Sequence, residues 1–202
     1  MFSLEELLLI PQDQLMEEAQ KLDSEEISQL VEWLALKEDK IRYQAFLLLK
    51  HRSAIDSAVY QYWEVFRSKL CNENSYQRSI GLMLIAENVR WDNCNKMKDT
   101  LEEYLKLLKD EKPITVRQCI QSLRAVIEAR AELSEAIADQ LMSLVLTDYK
   151  ETMRKLILMD ALDILLTINR QKHNEKIESY IFEALTGEIL DKKSKKLIDA
   201  QL

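Results

Sequence analysis

Histidine is the side chain best suited to proton transfer near neutral pH and the commonest metal ligand, and this 202-residue chain has two. His51 and His173 lie far apart, each near a predicted helix end, where a capping or exposed role is expected. The three cysteines, Cys71, Cys94 and Cys119, show no CxxC spacing. They indicate neither a zinc site nor a disulfide framework, and reduced, half-buried thiols within helices are expected. There is no HExxH and no GxSxG, and the two glycines, Gly81 and Gly187, are too distant to cradle a phosphate together. The sequence therefore predicts no catalytic residue, no metal and no cofactor. Two features remain. Trp91–Asp92 sets an aromatic ring beside a carboxylate, and four arginines, Arg42, Arg78, Arg117 and Arg154, recur at intervals of 36, 39 and 37 residues.

The elements that must carry these residues are helices. Two glycines and two prolines leave too few turn formers for a sandwich or barrel, and 47% hydrophobic with 31% charged residues suits an almost wholly helical chain. The four arginines open similar segments: EDKIRYQAFLLL, NSYQRSIGLMLI, EKPITVRQCIQSL and KETMRKLILMDAL. Leu34, Leu70 and Leu146 precede their arginines by eight residues and Leu108 by nine, with a short polar turn between. Downstream, Val116, Cys119, Ile120, Leu123, Val126 and Ile127 recur at helical spacing. Helix pairs are thus predicted at 24–37 and 39–51, 54–70 and 74–90, 95–109 and 114–131, and 133–146 and 150–169. Short helices at 3–9 and 12–22 precede them; others at 174–186 and 189–200 follow. Ser24, Ser53, Asn74 and Ser134 suit N-caps, and Pro113 suits a first helical turn. A lone helical hairpin cannot hide both its apolar sides, so neighbouring pairs are expected to stack. Trp33 and Trp63, on first helices, are expected in that packing.

Charge is uneven. Residues 1–39 hold 11 acids and 2 bases, whereas the rest of the chain is nearly balanced, for a total of −7. Non-specific nucleic-acid binders draw affinity from basic excess, so nucleic acid is not an expected partner. The acidic start MFSLEELLLI has no basic flank and predicts no secretory leader. No apolar run reaches membrane-spanning length, so no membrane association and a cytoplasmic location are expected.

The four segments resemble HEAT-type and armadillo-like repeats, whose usual pattern sets an acid in the intra-repeat turn about six residues before an arginine. Asp148 and Glu111 stand six before Arg154 and Arg117; Asp39 and Glu73 stand only three and five before Arg42 and Arg78, so the first two turns are expected to lack the acid–arginine contact. The resemblance implies an all-α fold, a right-handed α–α superhelix of about four to five helix pairs forming a single domain over 1–202. Its parts would be an N-terminal cap at 1–23, four repeats at 24–169 and a C-terminal cap at 170–202. Arg42, Arg78, Arg117 and Arg154 would be structural, donating to carboxylates and turn carbonyls. The second helices would line a concave surface presenting Tyr43, Leu47 and Lys50, Gln77 and Glu87, Gln118, Gln121, Arg124 and Glu128, and Lys155. Of these, Tyr43, Lys50, Gln118, Gln121, Arg124 and Lys155 are the candidate contacts for a protein or peptide partner, the function being that of a non-enzymatic scaffold or adaptor. The alternative is a glycosylase similar to the HEAT-like DNA-alkylation-repair enzymes, with Trp91 and Asp92 handling a base, or a nucleic-acid-binding protein.

Overall fold

The computed structural model describes residues 3–201. It is all-helical, with twelve α-helices and no strand among the described residues. They are α1 (Leu4–Leu9), α2 (Leu15–Lys21), α3 (Ser24–Trp33), α4 (Asp39–Ile55), α5 (Trp63–Lys69), α6 (Ser75–Asn88), α7 (Lys96–Lys106), α8 (Pro113–Ala129), α9 (Ser134–Met142), α10 (Glu151–Gln171), α11 (Glu175–Thr186) and α12 (Lys192–Asp199). Short 3₁₀ segments extend several of them, as at Ser57–Tyr62 before α5 and Val89–Trp91 after α6.

The caps explain where the helices begin. Asp23, not Ser24, caps α3: its carboxylate accepts from Glu26 N–H while the Glu26 side chain accepts from the Asp23 N–H. Asn74 caps α6 as its residue type suggests. Ser53 caps nothing. It lies buried inside α4, which runs on to Ile55, and its hydroxyl donates to the Leu49 carbonyl; Asp56 caps the following turn instead. Ser134 is likewise not an N-cap but a first-turn residue of α9, reached from a preceding 3₁₀ turn. Pro113 stands at the start of α8, where its missing N–H is harmless.

The chain divides into two compact units, Met1–Glu103 and Tyr104–Leu202. In the first, α4 is the hub, packed by α1, α2, α3 and α6, while α5 packs on α6. In the second, α10 is the hub, packed by α8, α9, α11 and α12. A helix touched from several sides must be apolar on several sides. α10 accordingly buries Ile157, Leu158, Ala161, Leu162, Ile164, Leu165, Leu166 and Ile168.

Buried polar groups stitch the pairs. Arg52 of α4 donates to the Ala19 and Gln20 carbonyls, closing the C-terminal end of α2. Gln77 was expected to face outward, but it is buried. Its amide donates to the Leu34 carbonyl at 2.6 Å and its oxygen accepts from Lys69 Nζ. The Lys69 amine has no carboxylate beside it in this contact, and burial holds its pKa below the ordinary lysine range. In the second unit Tyr149 donates its hydroxyl to the Leu108 carbonyl at 2.6 Å. Leu34 and Leu108 are two of the leucines that precede the periodic arginines, so in each case a later helix pair seals an exposed first-helix terminus.

Candidate functional site

The four periodic arginines divide into two kinds. Three bend back onto the turn before their own helix. Arg42 donates to the Leu36 carbonyl and the Asp39 carboxylate and stacks its guanidinium 5.4 Å from the Tyr76 ring. Arg78 donates to the Asn72 and Glu73 carbonyls at 2.8 and 2.9 Å, and Arg154 to the Tyr149 and Thr147 carbonyls. Arg117 turns the other way and grips Asp160 on α10, with its Nε and Nη2 at 2.6 and 3.2 Å. The carboxylate holds the Arg117 pKa above the usual guanidinium value. At the first and last of these turns the contacts run against the expected acid spacing. The contact exists at Asp39–Arg42, where three residues of separation suffice for one helical turn. It is absent at Asp148–Arg154, where the guanidinium bonds carbonyls instead.

Around Arg117 the second-helix surface of the second unit takes shape. Gln121, one turn further along α8, donates to the same Asp160 at 3.0 Å. Arg124 pairs with Asp163 and Lys155 with Asp191, each at 2.5 Å. Lys155, followed by the Ser194 amide, holds the Asp191 carboxyl well below its usual range. Gln118 is half-buried between these turns, its Oε1 sealed from solvent without a hydrogen-bond partner. In the first unit Tyr43 and Lys50 stand two turns apart on α4. Tyr43 is 56% exposed and its ring lies 6.3 Å from Phe46. Lys50 reaches Glu87 of α6 at 3.5 Å. Leu47 is half-buried, and Glu128 is exposed. The structure thus gathers Gln121 and Arg117 on one carboxylate and places Arg124 one turn on, while Lys155 engages the chain before α12.

Sequence reasoning missed Asp160 and Asp163. The signal was present: two aspartates three residues apart interrupt the apolar run LILMDALDILL, one turn apart on one face. Asp160 is 13% exposed at its side chain and serves two donors, whereas Asp163 is half exposed. Asp160→Ala is expected to cost about 1–2 kcal/mol, because Arg117 and Gln121 lose a shared acceptor in a partly buried place. Asp163→Ala is expected to stay within about 0.5 kcal/mol. Urea denaturation of the two variants checks the contrast.

Trp91 and Asp92 serve the fold in this structure. The Trp91 indole donates to the Ser53 carbonyl at 2.7 Å. Asp92 is buried; it accepts from the Lys96 and Met97 amides at the start of α7 and from the Tyr60 hydroxyl at 2.7 Å. Burial, with Asp92 beside it, raises the Tyr60 pKa. Of the cysteines, only Cys119 lies in a helix, fully buried, and its thiol is pushed up by that burial. Cys71 and Cys94 are exposed residues of turns, not half-buried helical ones. A thiol reagent should modify Cys71 and Cys94 in the native chain and reach Cys119 only after unfolding; intact-mass analysis before and after urea reads this directly. His51 lies within the last turns of α4, and His173 is exposed 3.2 Å from Glu178. Among the described residues no group of three His, Cys, Asp or Glu side chains is placed to hold a metal ion, and no helix is long and apolar enough to cross a membrane. No family model, no curated protein and no solved structure matches the chain.

Proposed function

We propose that this protein is a non-enzymatic scaffold or adaptor, built as a right-handed HEAT- or armadillo-like superhelix, that binds a protein or peptide segment on its second-helix surface. The repeat reading is supported by where the long-range side-chain bonds fall. Such bonds between helix pairs span 32 to 43 residues, and Trp63–Thr100, Arg67–Glu103, Arg124–Asp163 and Lys155–Asp191, at 37, 36, 39 and 36, match the spacing of the arginines. The observation that carries the partner class is charge pairing. The second-helix cations Lys50, Arg117, Arg124 and Lys155 each stand against a carboxylate of another helix or of the segment beyond it. Paired charges flanked by Tyr43, Gln118 and Gln121 suit the mixed polar surface of a protein, whereas phosphate needs cations free to replace its counterions.

The test uses the full chain with Gln118→Glu, Gln121→Glu and Arg124→Glu combined. Photo-crosslinking from Ser122 in cells, followed by mass spectrometry, should give a specific partner whose recovery falls about tenfold or more in the charge-reversed chain. Unchanged recovery would refute the surface assignment. Salt-sensitive duplex-DNA binding that Trp91→Ala or Asp92→Asn removes would favour the alkylation-repair alternative instead.

A further inference from the structure

The second unit holds an apolar groove away from the carboxylate pairs of α8 and α10. It encloses about 400 Å³ between the α9–α10 loop, α10 and the C-terminal half of α11. Leu158 and Leu144 are buried in its floor, and Val145 and Ile189 line it while 56% and 39% exposed. Tyr180 and Ala184 complete the wall. That volume accommodates one large side chain with its flanking backbone. Apolar residues left this open on a connecting loop gain from being covered.

The polar groups on the rim decide what could cover them. Glu183 and Glu188 line the groove, and Asp148 follows Thr147 of its wall. Glu183, Glu188 and Asp148 form none of the ion pairs found among the described residues. Two cations reach the backbone of this lining, Lys195 at the Gly187 carbonyl (2.8 Å) and Arg154 at the Thr147 carbonyl, so the three carboxylates stand in excess of them. An apolar cleft edged by carboxylates selects a ligand that carries an apolar anchor and positive charge together.

We propose that this groove is a second binding site, independent of the second-helix surface, for a partner peptide segment in which a large apolar side chain is flanked by Lys or Arg. The anchor fills the space over Leu158 and Leu144, and the flanking cations meet Glu183 and Glu188.

Methyl-labelled full-length protein is titrated with three capped probe peptides: Ac-Arg-Trp-Arg-NH2, its charge-reversed counterpart Ac-Glu-Trp-Glu-NH2, and Ac-Arg-Gly-Arg-NH2. The Val145, Leu158 and Ile189 methyl resonances should shift saturably with the first probe, at about tenfold lower concentration than with either of the others. Ala184→Trp, which fills the cleft, should abolish the shifts. Glu183→Gln with Glu188→Gln, at exposed positions that leave folding alone, should erase the preference for the cationic probe. Equal response to the charge-reversed probe, shifts confined to α8, or no response at millimolar peptide would overturn the proposal. Since the readout sits at Val145 and Ile189 and not at Gln121 or Arg124, its failure is distinct from failure of the second-helix surface.

Discussion

Gly81→Val should cost at least about 3 kcal/mol of stability, the larger part of what a marginal fold can lose. α6 approaches α5 so closely at Gly81 that a Cβ there would lie 2.6 Å from the Phe66 carbonyl oxygen and 2.9 Å from Lys69 Cβ. The first obstacle is backbone and cannot rotate away, so the two helices must separate. Separation would open the packing of Phe66 and Leu70, both nearly sealed from solvent, and stretch the Lys69–Gln77–Leu34 chain of hydrogen bonds. Gly81→Ala meets the same carbonyl with less bulk. Its gain of about 1 kcal/mol in helix propensity offsets part of an overpacking cost of about 1–3 kcal/mol. The order wild type, alanine, valine in urea midpoints is the check. A valine variant as stable as wild type would show that α5 and α6 do not meet this way.

Trp63→Ala should cost about 3–5 kcal/mol. Trp63 is fully buried, its indole donates to the Thr100 hydroxyl at 3.1 Å, and the Tyr60 ring meets it edge-on at 5.6 Å. Alanine leaves a cavity that neighbouring helices can only partly collapse into. Trp63→Phe keeps most of the volume and should cost less, since Thr100 still donates to the Lys96 carbonyl. Chemical denaturation gives both numbers. Fluorescence separates the three indoles independently: Trp63 should resist acrylamide, while the half-buried Trp33 and Trp91 should be quenched. An accessible Trp63 would contradict the core described for the first unit.

The first expectation concerns the packing of α5 on α6 within one predicted helix pair, the second the contact of α5 with α7, the next helix along the chain after that pair. In the second unit, the packing of α8 on α10 brings Gln121 and Arg124 beside Asp160 and Asp163, on the proposed recognition surface. Loosening Gly81 or Trp63 acts on the fold of the first unit, whereas Arg124→Glu acts on the surface alone. The two classes of variant separate a loss of binding through unfolding from a loss through altered contacts.

The helices were legible in the amino-acid order because their cause is local. Apolar spacing, a few caps and the rarity of glycine and proline place α8 within two residues of its expected ends, and Asn74 starts α6 as its side chain dictates. The periodic arginines were legible as features of the helix pairs, since Arg78 and Arg154 answer to turns five to seven residues away. What could not be read was each side chain's partner across forty residues. Ser53 has a cap's chemistry yet sits inside α4, because Asn88 and Trp91 of later turns bond to it there. Gln77 has a surface residue's chemistry yet is buried against Leu34, and Arg117 forsakes its own turn for Asp160. In each case the local free-energy difference is about 1 kcal/mol, small enough for packing between helices to override. Sequence thus dictated where the chain coils, through short-range sterics and hydrophobic period; the docking of one coil on another, a long-range choice, settled which polar groups meet.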